Sequence, residues 1–231
     1  MSRVLQHLEI PVLIAVPLGL LALAAFGVEQ SALFSALLAI AAVAICFANY
    51  ESEQAGLRQI MPTVVLAALA AAGRILFAPF VDFKPVSAIC ILAGAVFGKR
   101  SGFMVGALAA FVSNFFFGHG AWTPWQMYAW GMIGYLSGVF AQKGWLEHTS
   151  VVLVFGFFSG FFYGFLLNTW HIIGFISPIT WQSILLTYAA GAPYDLVHCI
   201  ATVFFLTIIY VPWKRKLERI KSKYAIGELT T

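Results

Sequence analysis

A chain of 231 residues that is 61% apolar and only 10% charged, with a mean hydropathy of +0.91, carries more apolar surface than a water-soluble core of its size encloses. A soluble globular protein is therefore excluded, and despite the net charge of +4 no nucleic-acid partner is expected. The bilayer is the solvent, and crossing it as a helix takes about 17–25 apolar residues.

Such runs occur at 10–28, 31–49, 61–79, 102–118, 125–142, 150–167 and 186–211, with a shorter one at 86–98 that reads as tilted, partly embedded or packed in. Continuous apolar runs exclude an outer-membrane barrel, whose strands alternate polar and apolar residues over about ten positions. The fold class is all-α, a polytopic transmembrane helical bundle of about eight segments.

In chain order, residues 1–28 resemble a secretion signal through the small-x-small pair Ala22 and Ala24, but the weakly basic start and long apolar run favour a retained helix. A polar break at 49–59, holding Glu51, Glu53 and Arg58, separates an Ala/Leu-rich hairpin (1–50) from a body at 61–211 that holds the Trp, Phe, Gly and unusual polar residues. Placing both termini in the cytoplasm, with all eight segments crossing, puts Arg3, Arg58, Lys99, Arg100, Lys143 and the Lys/Arg of the tail (212–231) inside and only Lys84 outside. This is the asymmetry that the positive-inside rule describes. The tail then reads as a basic juxtamembrane helix beside anionic lipid, with Trp213 at the interface.

The outward connections on this topology are 80–85, 118–124 and 168–181, each polar and aromatic. Tryptophan at that level anchors a protein at the headgroup boundary. Trp122 and Trp125 flank a proline, however, Trp170 stands beside His171 and near Asn168, and Trp181 closes the third connection. Clustered aromatics with amides and imidazoles suit a large, flat, partly apolar ligand held by stacking and a few hydrogen bonds.

Arg74 and Asp195 are charges well inside apolar runs. A charge at the bilayer centre costs about 2.5–3.5 kcal/mol on insertion scales, so each needs a partner, water or a ligand. If 189–193 marks the outer end of the last span, the two lie at one depth and can pair, and Pro193 frees backbone groups beside Tyr194 and Asp195. Glycines at 94, 98, 102 and 106, at 134 and 138, and at 156, 160 and 164 have the spacing of close helix packing, as do Ala67 and Ala71 and, one residue on, Ala68 and Ala72. Cys46, Cys90 and Cys199 lie in apolar runs without ligand spacing, so buried thiols are expected. The sequence GAVFGKRS at 94–101 fails the phosphate-loop spacing, and the five histidines form no metal-ligand motif, His198 reading as a core histidine.

The Ala-rich helix ending in Arg (AALAAAGRIL), the short helix running into GKRSGFMVGALAAFVSN, the run GAWTPWQMYAWGMIGYLSG and a final helix opening with APYDLVHCI appear in an order that resembles the substrate-binding S component of energy-coupling factor (ECF) vitamin transporters. The likeness covers about two thirds of the chain, and the PWQM-type run looks most like cobalamin-specific members. The resemblance implies a six-helix core, here with an additional N-terminal hairpin, in a multi-pass protein of the bacterial cell membrane. It implies a transport subunit with no enzymatic activity and no cofactor of its own, partnered by a transmembrane coupling subunit and two ATPases. Its small-residue stripe, Ala67 and Ala71 or Ala68 and Ala72, would face the coupling subunit.

The transported ligand is expected to be cobalamin, with riboflavin or pantothenate as alternatives. The residues expected to hold it are Arg74, Asn114, His119, Trp122, Trp125, Gln126, Asn168, Trp170, His171, Trp181, Tyr194 and Asp195. A self-sufficient secondary transporter would show inverted repeats and a coupling-ion site, and an intramembrane enzyme would need a nucleophile or metal set at membrane depth. Neither signature is evident in the sequence.

Overall fold

The computed structural model of the protein describes residues 2–26, 31–52 and 57–226. These form α1 (Ser2–Phe26), α2 (Ser31–Ser52), α3 (Leu57–Leu76), α4 (Val86–Phe97), α5 (Lys99–Phe117), α6 (Thr123–Gln142), α7 (Thr149–Phe175) and α8 (Trp181–Lys223), with no strand among them. Four helices contain segments long and apolar enough to cross a membrane by themselves: Leu33–Glu51, Lys99–Phe117, Thr149–Phe175 and Trp181–Lys223.

The bundle is built around α4. Ten of its twelve residues are buried, all but Ala95 and Phe97, and it packs against α3, α5, α6, α7 and α8. At about 1.5 Å per residue it rises only about 18 Å, less than the ~30 Å of a hydrocarbon core. Its burial agrees with the packed-in reading of this segment. The connection 77–85 folds onto the bundle, where Phe77 and Phe83 pack on Phe205 with centroids at 5.1 and 5.4 Å.

Glycine sets the separation of α4, α5 and α6. A Cβ built on Gly102 falls 2.6 Å from the Gly134 carbonyl carbon, and one on Gly94 falls 2.9 Å from the Gly138 nitrogen, so backbone meets backbone where any side chain would intervene. Gly98, at φ +91°, turns α4 directly into α5. The second stripe faces α8: Gly156 lies under Leu206, Gly160 under Cys199 and Gly164 under the Asp195 carboxylate. The three cysteines are buried at separate places in the core.

The N-terminal hairpin packs beside the body, α1 against α7 and α2 against α5, α6 and α7. Leu13, Val16 and Leu20 of α1 and Ala39, Ala42 and Cys46 of α2 share one apolar cluster with Phe103, Trp125, Tyr128 and Trp170. A polar tie fixes the register. The Glu9 carboxylate, 1% exposed, receives Arg100 Nε and Nη2 at 2.9 Å each, Asn49 Nδ2 at 3.0 Å, and Lys99 Nζ at 3.5 Å. Sequence reading passed over Glu9 because it stands at the margin of the first apolar run, where a charge ordinarily reaches water.

Two boundaries differ from expectation. α7 continues to Phe175, so Asn168, Trp170 and His171 stand on a helix rather than in a loop. Thr169 Oγ1 donates to the Phe165 carbonyl at 2.6 Å, and Trp170, Ile172 and Ile173 are buried, so this polar stretch keeps an apolar face to the bundle. α8 begins at Trp181, where Thr180 and Ser183 form a reciprocal capping box, and runs unbroken through Pro193 and Pro212 to Lys223. The basic run after Pro212 is therefore the end of the last helix and not a separate element. Lys221 Nζ donates to the Val96 carbonyl at 2.7 Å, tying that end of α8 to the end of α4.

Candidate functional site

Helix directions place Lys99, Arg100, Lys143 and the basic run of α8 at one end of the bundle, and Arg74 and Lys84 at the other. At the second end the C-termini of α3 and α5 meet the N-terminus of α6. There Arg74, 8% exposed, donates from Nη1 to Ser113 Oγ at 2.7 Å and to Asn114 Oδ1 at 2.6 Å. Its guanidinium lies 4.5 Å from the Phe117 ring centroid and 4.9 Å from that of Trp130. Asn114 passes the interaction on, its Nδ2 donating to Thr123 Oγ1 at 3.1 Å and Gln126 Oε1 at 2.9 Å. An arginine in a membrane helix thus meets neutral oxygens and aromatic faces.

Below this layer the aromatic and polar contacts continue. Trp130 Nε1 donates to Ser87 Oγ at 3.2 Å, and Ser87 Oγ stands 2.7 Å from His198 Nε2. The Tyr163 ring packs between Trp130 and His198, at centroid distances of 4.7 and 4.8 Å. Ser87 lies in the first turn of α4, so the short helix begins in the middle of this network. Ser87, Ser113, Phe117, Trp130 and Tyr163 sit inside apolar runs that give them no sequence signal, and His198 carried none beyond its burial.

Arg74 and Asp195 do not form an ion pair; no carboxylate of the described residues lies within 4 Å of the guanidinium. Asp195 faces α7 instead: its Oδ2 accepts from Asn168 Nδ2 at 3.2 Å and its carboxylate rests on Gly164. Asp82, in the 77–85 connection at φ +51°, lies close enough to both for its charge to act on Arg74 and on Asp195. Burial holds the Asp82 carboxyl above its ordinary range, with Lys84 and then Arg74 acting the other way. Lys84 Nζ donates to the carbonyls of Phe77 (2.7 Å), Ala78 (3.5 Å) and Phe80 just beyond α3, closing that helix end as cations do at C-termini. Burial pulls its ammonium below the usual lysine value, with Asp82 acting against the shift.

Of the residues expected to hold ligand, Arg74, Asn114 and Gln126 come together, and Asn168 with Asp195 forms a second pair. His119 is exposed beside this cluster, its ring 4.7 Å from that of Phe115 and its Nδ1 3.5 Å from Thr123 Oγ1. Trp122 covers Gly120. Trp125 and Trp170 are placed elsewhere, in the buried cluster against the N-terminal hairpin, and the Trp125 indole N–H has no hydrogen-bond partner among the described residues. His171 stacks on Phe175 at the surface, while Trp181 and Tyr194 are 78% and 54% exposed. On α3, Ala67 and Ala71 are 3% and 2% exposed and belong to the core. Ala68 and Ala72 are exposed, on a surface stripe with Met61, Val65 and Leu76.

Residues 53–219 match the model of a family of unknown function, DUF6580. The chain belongs to that family. The match begins beyond the last residues of the N-terminal hairpin and ends within α8, so the DUF6580 region holds α3–α7 whole and every residue of the Arg74 network. The hairpin that buries Trp125 and Trp170 lies outside it. No curated protein and no solved structure matches the chain.

Proposed function

We propose that this DUF6580 protein is the substrate-capture and translocation subunit of an ATP-driven ECF vitamin importer of the bacterial cell membrane, with cobalamin as its ligand. The observation that carries the reading is the Arg74 network. One end of the bundle gathers a buried guanidinium, two amides, hydroxyls and the faces of Phe117 and Trp130, which is a chemistry for a large, amide-rich, weakly charged ligand. The opposite end concentrates Lys and Arg, so the positive-inside rule turns the network to the outside and both termini to the cytoplasm. The sequence likeness to S components, in particular AALAAAGRIL, TPWQM and APYDLVHCI, falls on the helices that build this end.

In this reading the ligand enters over the 118–122 connection and the α7–α8 turn. Energy comes from two partner ATPases through a membrane coupling subunit. The exposed stripe Ala68 and Ala72 contacts that subunit, in place of the buried register Ala67 and Ala71.

Titration calorimetry of purified protein in detergent with cobalamin, with riboflavin and pantothenate alongside, tests it. Saturable binding of about one cobalamin per chain is expected. Binding of riboflavin or pantothenate alone overturns the substrate, and folded protein that binds none of the three overturns the capture role.

A further inference from the structure

The Arg74 guanidinium is committed on one side only. Both of its hydrogen bonds leave from Nη1. Nε and Nη2 donate to no described residue, yet neither is sealed from solvent. The residue as a whole is 92% buried, the complement of its 8% exposure. A fixed cation with one donor edge pinned to neutral oxygens and the other edge open is oriented before anything binds. The open edge presents two parallel N–H groups, the fork that matches two oxygens of one anionic group.

The nearby charges argue for an occupant with an anionic group within a larger body, not a free anion. Asp82 and Asp195 repel a small anion, and Lys84 is occupied by backbone carbonyls. Counted formally, Arg74 and Lys84 balance Asp82 and Asp195. An oxyanion attached to a ligand that also stacks on aromatic rings gains the fork at Arg74 and keeps the rest of its bulk among neutral groups.

We infer that Arg74 is the receptor for an anionic oxygen group of the transported ligand, a phosphodiester or a carboxylate, which docks on the Nε–Nη2 edge. The inference rests on the capture reading above and narrows its substrate class. Cobalamin, through its phosphodiester, and pantothenate, through its carboxylate, satisfy it; riboflavin, which has neither, does not.

The test is a binding cycle on the full chain in detergent, using wild type, Arg74→Gln and Arg74→Lys with cobalamin, cobinamide (the corrin ring without its nucleotide loop and phosphodiester), pantothenate and riboflavin. Arg74→Gln is expected to weaken cobalamin at least tenfold and cobinamide less than threefold, with Arg74→Lys intermediate because it keeps the charge and loses the fork. Thermal unfolding of each variant identifies those that fold. If Arg74→Gln fails to fold, Arg74→Lys carries the test, since loss of the fork must still weaken cobalamin more than cobinamide. Equal loss for the two corrinoids, or none, makes Arg74 a packing residue and overturns the inference while leaving capture intact. Binding of pantothenate alone with the same Arg74 dependence overturns cobalamin and keeps the inference. Binding of riboflavin alone overturns both the substrate and the receptor role, and wild type that binds no probe overturns capture and inference together.

Discussion

Replacing Glu9 by Gln removes the charge from the contact that ties the N-terminal hairpin to the body and keeps the shape. The carboxylate is 1% exposed and meets Arg100 twice at 2.9 Å and Lys99 at 3.5 Å. Removing one partner of a sealed ion pair costs about 3–5 kcal/mol, because the survivor stays buried and unpaired. Here the side chains of Arg100 and Lys99 are 13% and 29% exposed and rehydrate in part, which lowers the expected cost to about 2–3 kcal/mol. That cost falls on docking of α1 and α2, since the two cations stay on α5.

Cys46 reports it directly. It is 4% exposed on α2 at the hairpin interface, whereas Cys90 is fully buried in α4. When opening is fast relative to labelling, a local cost of about 2–3 kcal/mol raises the labelling rate of Cys46 by roughly 30- to 150-fold. The assay is alkylation of single-cysteine variants by a thiol reagent in detergent, with and without Glu9→Gln. A Cys46 rate that changes by less than threefold refutes the tie. A Cys90 rate that rises in parallel refutes its local character.

Further outcomes follow from packing and charge. Gly134→Ala should lower the melting temperature markedly, because a Cβ there meets the Gly102 backbone and the helices must move apart, a strain of about 1–3 kcal/mol; an unchanged melting curve refutes the backbone contact. Trp125→Ala should destabilise by about 3–5 kcal/mol by leaving a core cavity, while Trp181→Ala, at 78% exposure, leaves thermal unfolding unchanged; equal effects would contradict the burial. Ala68→Leu and Ala72→Leu should spare ligand binding and stability yet abolish co-purification with a coupling subunit, and intact assembly defeats that docking face. For Asp82, burial raises the carboxyl in the folded state, so its stabilising contribution is present below the ordinary carboxylate pKa and is lost as pH rises through the folded value. Asp82→Asn, which also tolerates φ +51°, should therefore raise the melting temperature at neutral and alkaline pH and leave it unchanged near pH 3; a pH-independent difference refutes the assignment.

Hydropathy located all eight helices because lipid demands an apolar exterior whatever the packing inside. It misplaced the ends of α7 and α8, since Asn168, Thr169 and His171 look like loop residues until Trp170, Ile172 and Ile173 are seen to supply a buried face. The capping pair Thr180 and Ser183 was present in the sequence and marks where α8 starts. The expectation of a pair with Arg74 rested on an outer end at 189–193; the helix starts at Trp181, and Asp195 is taken up by Asn168 and Gly164 of α7. Arg74, Asn114 and Gln126 were legible because a charge and amides stand out in apolar helices. Ser87, Trp130 and Tyr163 were not, because membrane cores use the same residues as filling. Periodicity alone also left open which alanine register of α3 faces outward, a matter that α4 and α5 decide by covering Ala67 and Ala71.

At 43 residues, α8 is one rod about 64 Å long. It carries Asp195 and His198 in its first half and the Lys/Arg run at its far end. A tilt of about 5° about its first turn would therefore displace the basic end by roughly 5 Å. Pro193 and Pro212, each leaving a gap in the hydrogen-bond ladder, divide the rod into a segment ahead of Asp195, a core segment that carries Asp195 and His198, and a segment at the basic end. Asp195 and His198 in the core and the Lys/Arg run at the far end thus belong to a single element, without any loop in between.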